Sequence, residues 1–256
     1  MSSSPREKAA GALRRVARIL APQEKPAMDP CARFHSHHYL RHTARRLEHL
    51  ASLRIPVSGS SVLEVGSGIG DHSHFYLDRG CKVLITEVRP ENLQLLRERY
   101  PRETIAALDM ENPRLDGDER FDVVHCYGLL YHLAEPAPAL EFMASRCGKI
   151  MFLETCVSFG AESAINPVAE DQLHPTQASS GTGCRPTRPW LFGKLKELFE
   201  FVYIPKTQPF HEEFPLDWTA PAQHRNQFSR AVFVCSRERI ANDILSETLL
   251  DRQVRE

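Results

Sequence analysis

From residue 61 onward the chain alternates short apolar runs with stretches of helical period. The apolar runs predict strands at Ser61–Val65, Lys82–Glu87, Thr104–Leu108, Phe121–Cys126, Lys149–Glu154, Phe201–Ile204 and Ala231–Cys235. Helices are expected between them at His72–Arg79, Pro90–Tyr100, Ala137–Arg146 and Arg188–Glu200. Alternation of this kind predicts an α/β fold, a doubly wound and mostly parallel sheet of seven strands. Two segments, 155–187 and 205–230, are rich in Pro, Gly, Ser and Thr and carry little periodicity. Loops of that length in a compact domain are usually functional or disordered.

The flanks differ from this middle. Residues 6–20 place Ala9, Leu13, Val16, Ala17 and Leu20 on one helical face, which predicts an amphipathic helix packed on its own domain, the alternative being a targeting peptide or membrane-surface helix. Residues 21–30 hold three prolines and read as a linker. The stretch from Phe34 to Leu53 is expected to be a helix docked through Leu40, Leu47 and Leu50. His38 and His42 stand four apart in it, a spacing that can hold a metal on a helix face. No carboxylate or cysteine completes the set at helical spacing, and Arg41, Arg45 and Arg46 would repel a cation. Solvated helix surface is the reading, and no metal is assigned. The run 239–256, with Ile240, Ile244, Leu245 and Leu249, predicts a C-terminal helix. The expected organisation is therefore an N-terminal helical extension over 1–55, a domain over 56–238 and a helix over 239–256.

Composition narrows the function classes. Hydrophobic residues make up 42% of the 256 and charged residues 25%, an ordinary globular mixture with no need of disulfide staples. The net charge of −1 argues against nucleic-acid binding through bulk charge. Residues 1–50 carry ten basic and four acidic groups, a local surplus of +6 that leaves room for a basic patch. No apolar run reaches the roughly 18 residues of a membrane span. The seven scattered cysteines form no CxxC pair, and no hydrophobic secretory segment opens the chain, so a reduced, cytoplasmic protein is expected.

The sharpest motif is VLEVGSGIG, Val62 to Gly70, a strand ending in a glycine-rich turn that opens a helix. Open α/β sheets bind nucleotides at such turns. The spacing is GxGxG rather than the GxGxxG of a dinucleotide site, and Glu64 stands two residues before the first glycine. A carboxylate there would repel a pyrophosphate at the helix N-terminus but hold a ligand with a cationic amine. S-adenosylmethionine is such a ligand, with an α-ammonium and a sulfonium. Glu87 ends the next strand about 20 residues on, the distance at which an acid reaches a ribose diol. Asp109 follows the third strand and can accept from an adenine amino group, with Met110 packing on the ring.

With these residues, 61–155 resemble the core of a class I S-adenosylmethionine-dependent methyltransferase. The pieces are LEVGSGIG, Glu87 in ITEVRPENL, LDMENP, and FDVVHCYGLLYHLAEP. The resemblance implies that Glu64, Gly66, Ser67, Gly68 and Gly70 form the methionine-binding turn and that Glu87 is the ribose acid. It further implies Asp109 and Met110 as adenine contacts, Tyr127 beside them, and a closing antiparallel hairpin from 201–204 and 231–235. The N-terminal sixty residues and both long loops resemble substrate-recognition additions. YGLLYHL is also similar to a stretch of enzymes that use a carboxylated relative of S-adenosylmethionine on transfer RNA. That group would want a cation in the pocket, for which Arg89 is the candidate.

The sulfonium already activates the methyl group, so alignment and exclusion of water are the main requirements, with a general base for a hydroxyl or neutral amine. Candidates should project from strand C-termini. Tyr127, Tyr131 and His132 follow the fourth strand; His174, Arg185 and Arg188 follow the fifth; His211, Glu212, Glu213, Asp217 and Trp218 follow the sixth. His132 and His211 are the expected bases. Tryptophan beside carboxylates and a histidine suits a sugar, so the expected reaction is methyl transfer to a small-molecule acceptor such as a sugar hydroxyl. The alternatives are an RNA or protein methyltransferase gripping through the basic N-terminal region, or a nonenzymatic module that keeps the fold.

Overall fold

The computed structural model describes residues 29–174, 176–224 and 228–255. The helix expected over 6–20 and most of the linker lie outside them. The strands are β1 (Ser61–Glu64), β2 (Lys82–Glu87), β3 (Thr104–Ala107), β4 (Phe121–Tyr127), β5 (Cys147–Cys156), β6 (Ile165–Ala169), β7 (Thr182–Pro186), β8 (Phe201–Pro205), β9 (Thr207–Gln208), β10 (Arg230–Ser236), β11 (Leu245–Ser246) and β12 (Val254–Arg255). The main sheet has the order β11-β8-β10-β5-β4-β1-β2-β3. Strands β1 to β5 pair in parallel, and β10, β8 and β11 add antiparallel at one side.

The parallel strands read as near-continuous apolar runs because helices cover both faces. One core holds Leu140, Met143, Leu191 and Leu195 from helices Pro136–Arg146 and Arg188–Leu198. The opposite core holds Leu50, Phe75, Leu93 and Leu96 from helices His37–Ser52, Ser73–Leu77 and Pro90–Arg99. The chain runs outward from β1 through β2 to β3, then returns to β4 and β5 on β1's other side. The crevice at the C-terminal ends of β1 and β4 is thus the topological switch point, where open α/β sheets bind ligands.

The sheet has eight strands rather than seven, and the extra one comes from the segment expected to be a C-terminal helix. Within 239–255 no helix forms. Residues 245–246 pair with β8, whose open edge would otherwise leave backbone donors and acceptors unpaired. The Lys206 amide donates to the Ile244 carbonyl at 2.7 Å, and the buried Gln253 side chain donates to the Pro205 carbonyl at 2.6 Å. These pairings outcompete an isolated amphipathic helix. Segment 155–187 is also less irregular than its composition suggests, since β6 and β7 form a hairpin in register from Ile165↔Pro186 to Ala169↔Thr182.

Helix His37–Ser52 docks through Leu50 and Leu47 as expected, but not through Leu40. Leu40 is half exposed, whereas His42, Arg46, His49 and Leu50 are buried. The positions recur at helical spacing, but the buried stripe is mostly polar because it lies over the polar end of the sheet. Arg46 Nη1 donates to Glu154 Oε2 at 3.1 Å, and Arg230 Nη1 donates to Glu154 Oε1 at 3.0 Å. Arg230 Nε donates to Glu213 Oε2 at 2.6 Å. Two guanidinium groups and two carboxylates therefore share one buried network. Glu154→Ala would leave two arginines buried beside an uncompensated site, and urea unfolding should show a loss of about 3–5 kcal/mol. A loss below about 1 kcal/mol, the range of exposed pairs, would mean that the network carries little of the docking.

Candidate active site

The glycine turn leaves β1 with Gly66 at φ +64° and Gly68 at φ +60°, both in the left-handed region that side chains disfavour. A Cβ on Gly66 would lie 2.8 Å from the Leu129 side chain, and one on Gly68 would lie 2.8 Å from the Phe34 ring. The turn is tied to β2 by the Ser67 amide, which donates to the Thr86 carbonyl at 2.9 Å. The Gly68 amide donates to Glu87 Oε2 at 2.8 Å. Glu87 Oε1 accepts from the Val88 and Arg89 amides at 2.7 and 3.0 Å. Burial nevertheless holds the Glu87 carboxyl above its ordinary value, with the three amides opposing that shift.

The turn opens onto a cavity whose lining includes Glu64, Gly66, Ser67, Gly68, Glu87, Asp109, Met110 and Tyr127. Eight of the nine expected cofactor residues therefore converge on one space. Gly70 is the exception. A Cβ there would meet Tyr100 and Leu96, and its carbonyl accepts from the Tyr100 hydroxyl at 2.6 Å, so its role is to pack the turn on the helix Pro90–Arg99. Glu64 is buried and accepts from the Ser73 hydroxyl at 2.6 Å, and burial pushes its carboxyl up to about 7. Ser67 Oγ and Tyr127 Oη are buried with no hydrogen-bond partner among the described residues. Burial also holds the Tyr127 hydroxyl far above its usual range, so it remains a donor.

These features fit S-adenosylmethionine. The turn excludes side chains, Glu64 offers a carboxylate to an ammonium, and Glu87 retains lone pairs for a ribose. Asp109 is exposed at the rim beside the buried Met110, which can face an adenine.

The opposite wall was less legible. Phe34, Tyr39, His42, Thr43 and Arg46 line it from the N-terminal helices, and Arg230 from β10. Of the two expected bases, His132 lines the cavity and His211 does not. His132 Nδ1 pairs with Glu170 Oε2 at 2.5 Å, and Glu170 Oε1 in turn receives Arg185 Nη2 at 3.3 Å. Glu170 follows β6 in the long loop, and no signal in the sequence marked it. Burial lowers the His132 imidazole below its ordinary value, with the Glu170 carboxylate opposing that shift. His211 is instead packed under helix His37–Ser52, its ring 4.8 Å from that of His42, and burial drives it down to about 4.

Other candidates lie elsewhere. Trp218 stacks on the Arg188 guanidinium at 4.0 Å and donates its indole N–H to Gln253 Oε1 at 2.7 Å, so it is a packing residue rather than a sugar platform. Arg188 donates to the Leu250 carbonyl. Asp217 accepts from the Thr219 amide and hydroxyl, and Glu212 pairs with Arg41. Arg89 lines the cavity, yet its Nη2 donates to the Gln172 and Gln177 carbonyls at 3.0 Å each. His174 bonds locally to Thr176. His132, His174 and His211 are not brought together.

The cavity at the sheet's switch point, with its glycine turn and strand-end acids, is that of a nucleoside-binding α/β enzyme. Residues 63–149 match a family described as a methyltransferase domain. The N-terminal domain of EvdMO1, solved in the presence of S-adenosylhomocysteine and D-fucose, is 20% identical with a TM-score of 0.60, the match covering 90% of this chain and 97% of that one. An S-adenosylmethionine-dependent methyltransferase from Mesorhizobium loti is 17% identical with a TM-score of 0.55, covering 77% of this chain and 100% of that one. No sequence among the curated proteins matches. The chain carries a methyltransferase domain over residues 63–149, on the fold of the S-adenosylmethionine-dependent methyltransferases it is similar to. It is an enzyme whose cofactor is S-adenosylmethionine.

Two measurements address the cofactor side. Glu87→Ala should weaken S-adenosylmethionine binding by roughly 1.5–3 kcal/mol, the range for hydrogen bonds to a charged group; unchanged affinity by calorimetry in a folded variant would remove Glu87 from the site. The second concerns Glu64, whose carboxyl is neutral below about pH 7 and is driven to ionise by a ligand ammonium. Cofactor affinity should fall as pH drops from about 8 to about 6, with a proton released on binding at the acid end. A flat profile would separate Glu64 from the ammonium.

Proposed function

We propose that the chain methylates a hydroxyl of a polar small molecule, with a sugar or another polyhydroxylated compound as acceptor and His132 as general base. The observation that carries this reading is the His132–Glu170 pair on the cavity wall. A carboxylate on Nδ1 fixes the tautomer and leaves Nε2 as the proton acceptor. That polarity suits an acceptor that must lose a proton, whereas a carboxylate or thiolate acceptor needs no base. The structural neighbour solved with D-fucose supports a sugar as the class to test first.

When bound, S-adenosylmethionine supplies an activated methyl group and leaves as S-adenosylhomocysteine. The chain's own residues do the rest. Glu64, Gly66, Ser67, Gly68 and Glu87 would hold the donor, with Tyr127 donating its free hydroxyl. His132 takes the acceptor's hydroxyl proton as the new O–C bond forms, and Glu170 stabilises the resulting imidazolium. Helix His37–Ser52 closes one side with Tyr39, Thr43 and Arg46, which excludes water and orients polar groups of the acceptor.

The same reading assigns residues 1–55 to acceptor recognition as an extension of the domain over 56–238. Among the described residues no helix is long and apolar enough to cross a membrane. All seven cysteines are free, which accords with a reducing compartment such as the cytoplasm.

The test is a panel of sugars and glycosides assayed with S-adenosylmethionine, methylated product being read by mass spectrometry. On the acceptor found, His132→Ala should slow single-turnover transfer by about 100- to 10,000-fold with cofactor affinity unchanged. Glu170→Gln removes the group that holds the imidazole up, so the acid limb of its pH–rate profile should move to lower pH. Loss of less than about tenfold in His132→Ala would mean that alignment alone carries the reaction.

A further inference from the structure

Helix His37–Ser52 sets His38 and His42 against the turn His211–Glu213, which enters from the far end of the chain. The three imidazole rings have centroid separations of 4.8 Å (His42–His211), 5.6 Å (His38–His211) and 6.1 Å (His38–His42). His38 Nε2 lies 3.3 Å from Glu213 Oε1, and His42 Nε2 lies 3.7 Å from Glu213 Oε2. One ligand atom each from His42, His211 and Glu213 fall within 4.8 Å of one another, and the same holds for His38, His211 and Glu212. His42 and His211 are each 2% exposed, and Nε2 of both lacks a hydrogen-bond partner among the described residues. Two orphaned imidazole nitrogens thus meet beside Glu213, from residues 169 positions apart in the sequence.

An unpaired buried polar group carries a desolvation cost that a ligand would remove. A tetrahedral ion with bonds of 2.0–2.1 Å needs ligand atoms about 3.4 Å apart, so modest side-chain adjustment would close the set. The surrounding charges are mixed. Arg41 holds Glu212, Arg230 Nε holds Glu213 Oε2, and Arg46 and Arg230 flank Glu154. Glu213 Oε1, the oxygen nearer His38, is the one Arg230 leaves open. His211 Nδ1 accepts the Glu213 amide at a long 3.3 Å and lies 3.8 Å from Glu212 Oε2. With metal at Nε2 the proton would sit on Nδ1, which would give up the Glu213 amide and donate to Glu212, a carboxylate being a usual outer partner of a ligating histidine.

We propose that His38, His42, His211 and Glu213 bind one divalent transition-metal ion, which clamps helix His37–Ser52 to the turn after β9. Three imidazoles and one carboxylate select zinc or a similar borderline ion over calcium or magnesium, which take oxygen ligands. His42 and Arg230 also line the cavity, so the clamp would order the acceptor wall.

The test uses the full chain without a histidine tag, stripped with chelator and dialysed. Zn²⁺ titrated by calorimetry should bind at one ion per chain and raise Tm, and Co²⁺ should give the visible absorption of a tetrahedral site. His38→Ala, at a half-exposed ligand whose loss spares the core, should keep the Tm of the stripped protein while weakening Zn²⁺ by about 10- to 100-fold or more. His211→Ala should abolish binding; if that variant fails to fold, His38→Ala decides alone. No heat and no Tm shift with Zn²⁺ would overturn the proposal. So would equal affinity in wild type and His38→Ala, which would place the ion at another cluster such as Glu64, His72 and His125.

Discussion

The structure depends on a carboxylate with no access to water. Glu154 sits near the end of β5, in the middle of the sheet, at 0% exposure. A charge there persists only with partners on more than one side. β10 supplies Arg230 from the neighbouring antiparallel strand, and helix His37–Ser52 supplies Arg46 from the layer above. The helix must therefore lie across the C-terminal end of the sheet, and its buried stripe must be polar. Arg46 packs so closely that a Cβ at Gly128 would come within 3.0 Å of its Nη1. The floor, the roof and one wall of the cleft are set by that one requirement.

The two halves of the cleft have different physical origins. The cofactor half is assembled from strand ends that are neighbours in the sheet, so its geometry follows from pairing and from one left-handed turn. Glu87 holds that turn through the Gly68 amide while remaining on the cavity wall, which makes it a structural and a cavity-facing group at once. The opposite half is assembled from the N-terminal helix, the hairpin loop after β6 and the strand β10. Arg230 links these parts, since its Nη2 donates to the Tyr131 hydroxyl at 3.2 Å, one residue from His132.

Burial also decides the chemical state of the histidines. His42, His49, His72, His125, His132 and His211 are all held below the ordinary imidazole value, with desolvation the largest cause in each. What distinguishes them is the partner. His125 is satisfied within the core by His72 on one nitrogen and Tyr76 on the other, while His72 keeps an unpaired Nε2. His132 has a carboxylate on one nitrogen and the cavity beside it. His42 and His211 have unpaired nitrogens beside a carboxylate. The same residue type thus stands in different surroundings according to what faces its second nitrogen.

Sequence alone determined the parallel sheet, the turn and the acids at its strand ends, because these rest on local signals: apolar runs, period-matched helices and glycine spacing. Glu64, Ser67, Glu87, Asp109 and Met110 were legible for that reason, and His132 because it follows a strand end by one short turn. Only the tertiary structure decided the rest. The C-terminal segment became an edge strand because an open sheet edge offered backbone partners that a helical pattern cannot anticipate. Glu170 came to His132 across a hairpin, and His211 and Glu213 came to His38 and His42 across most of the chain. Polar residues at helical spacing read as solvated surface unless the opposing polar surface is known, and that surface exists only once the sheet is assembled.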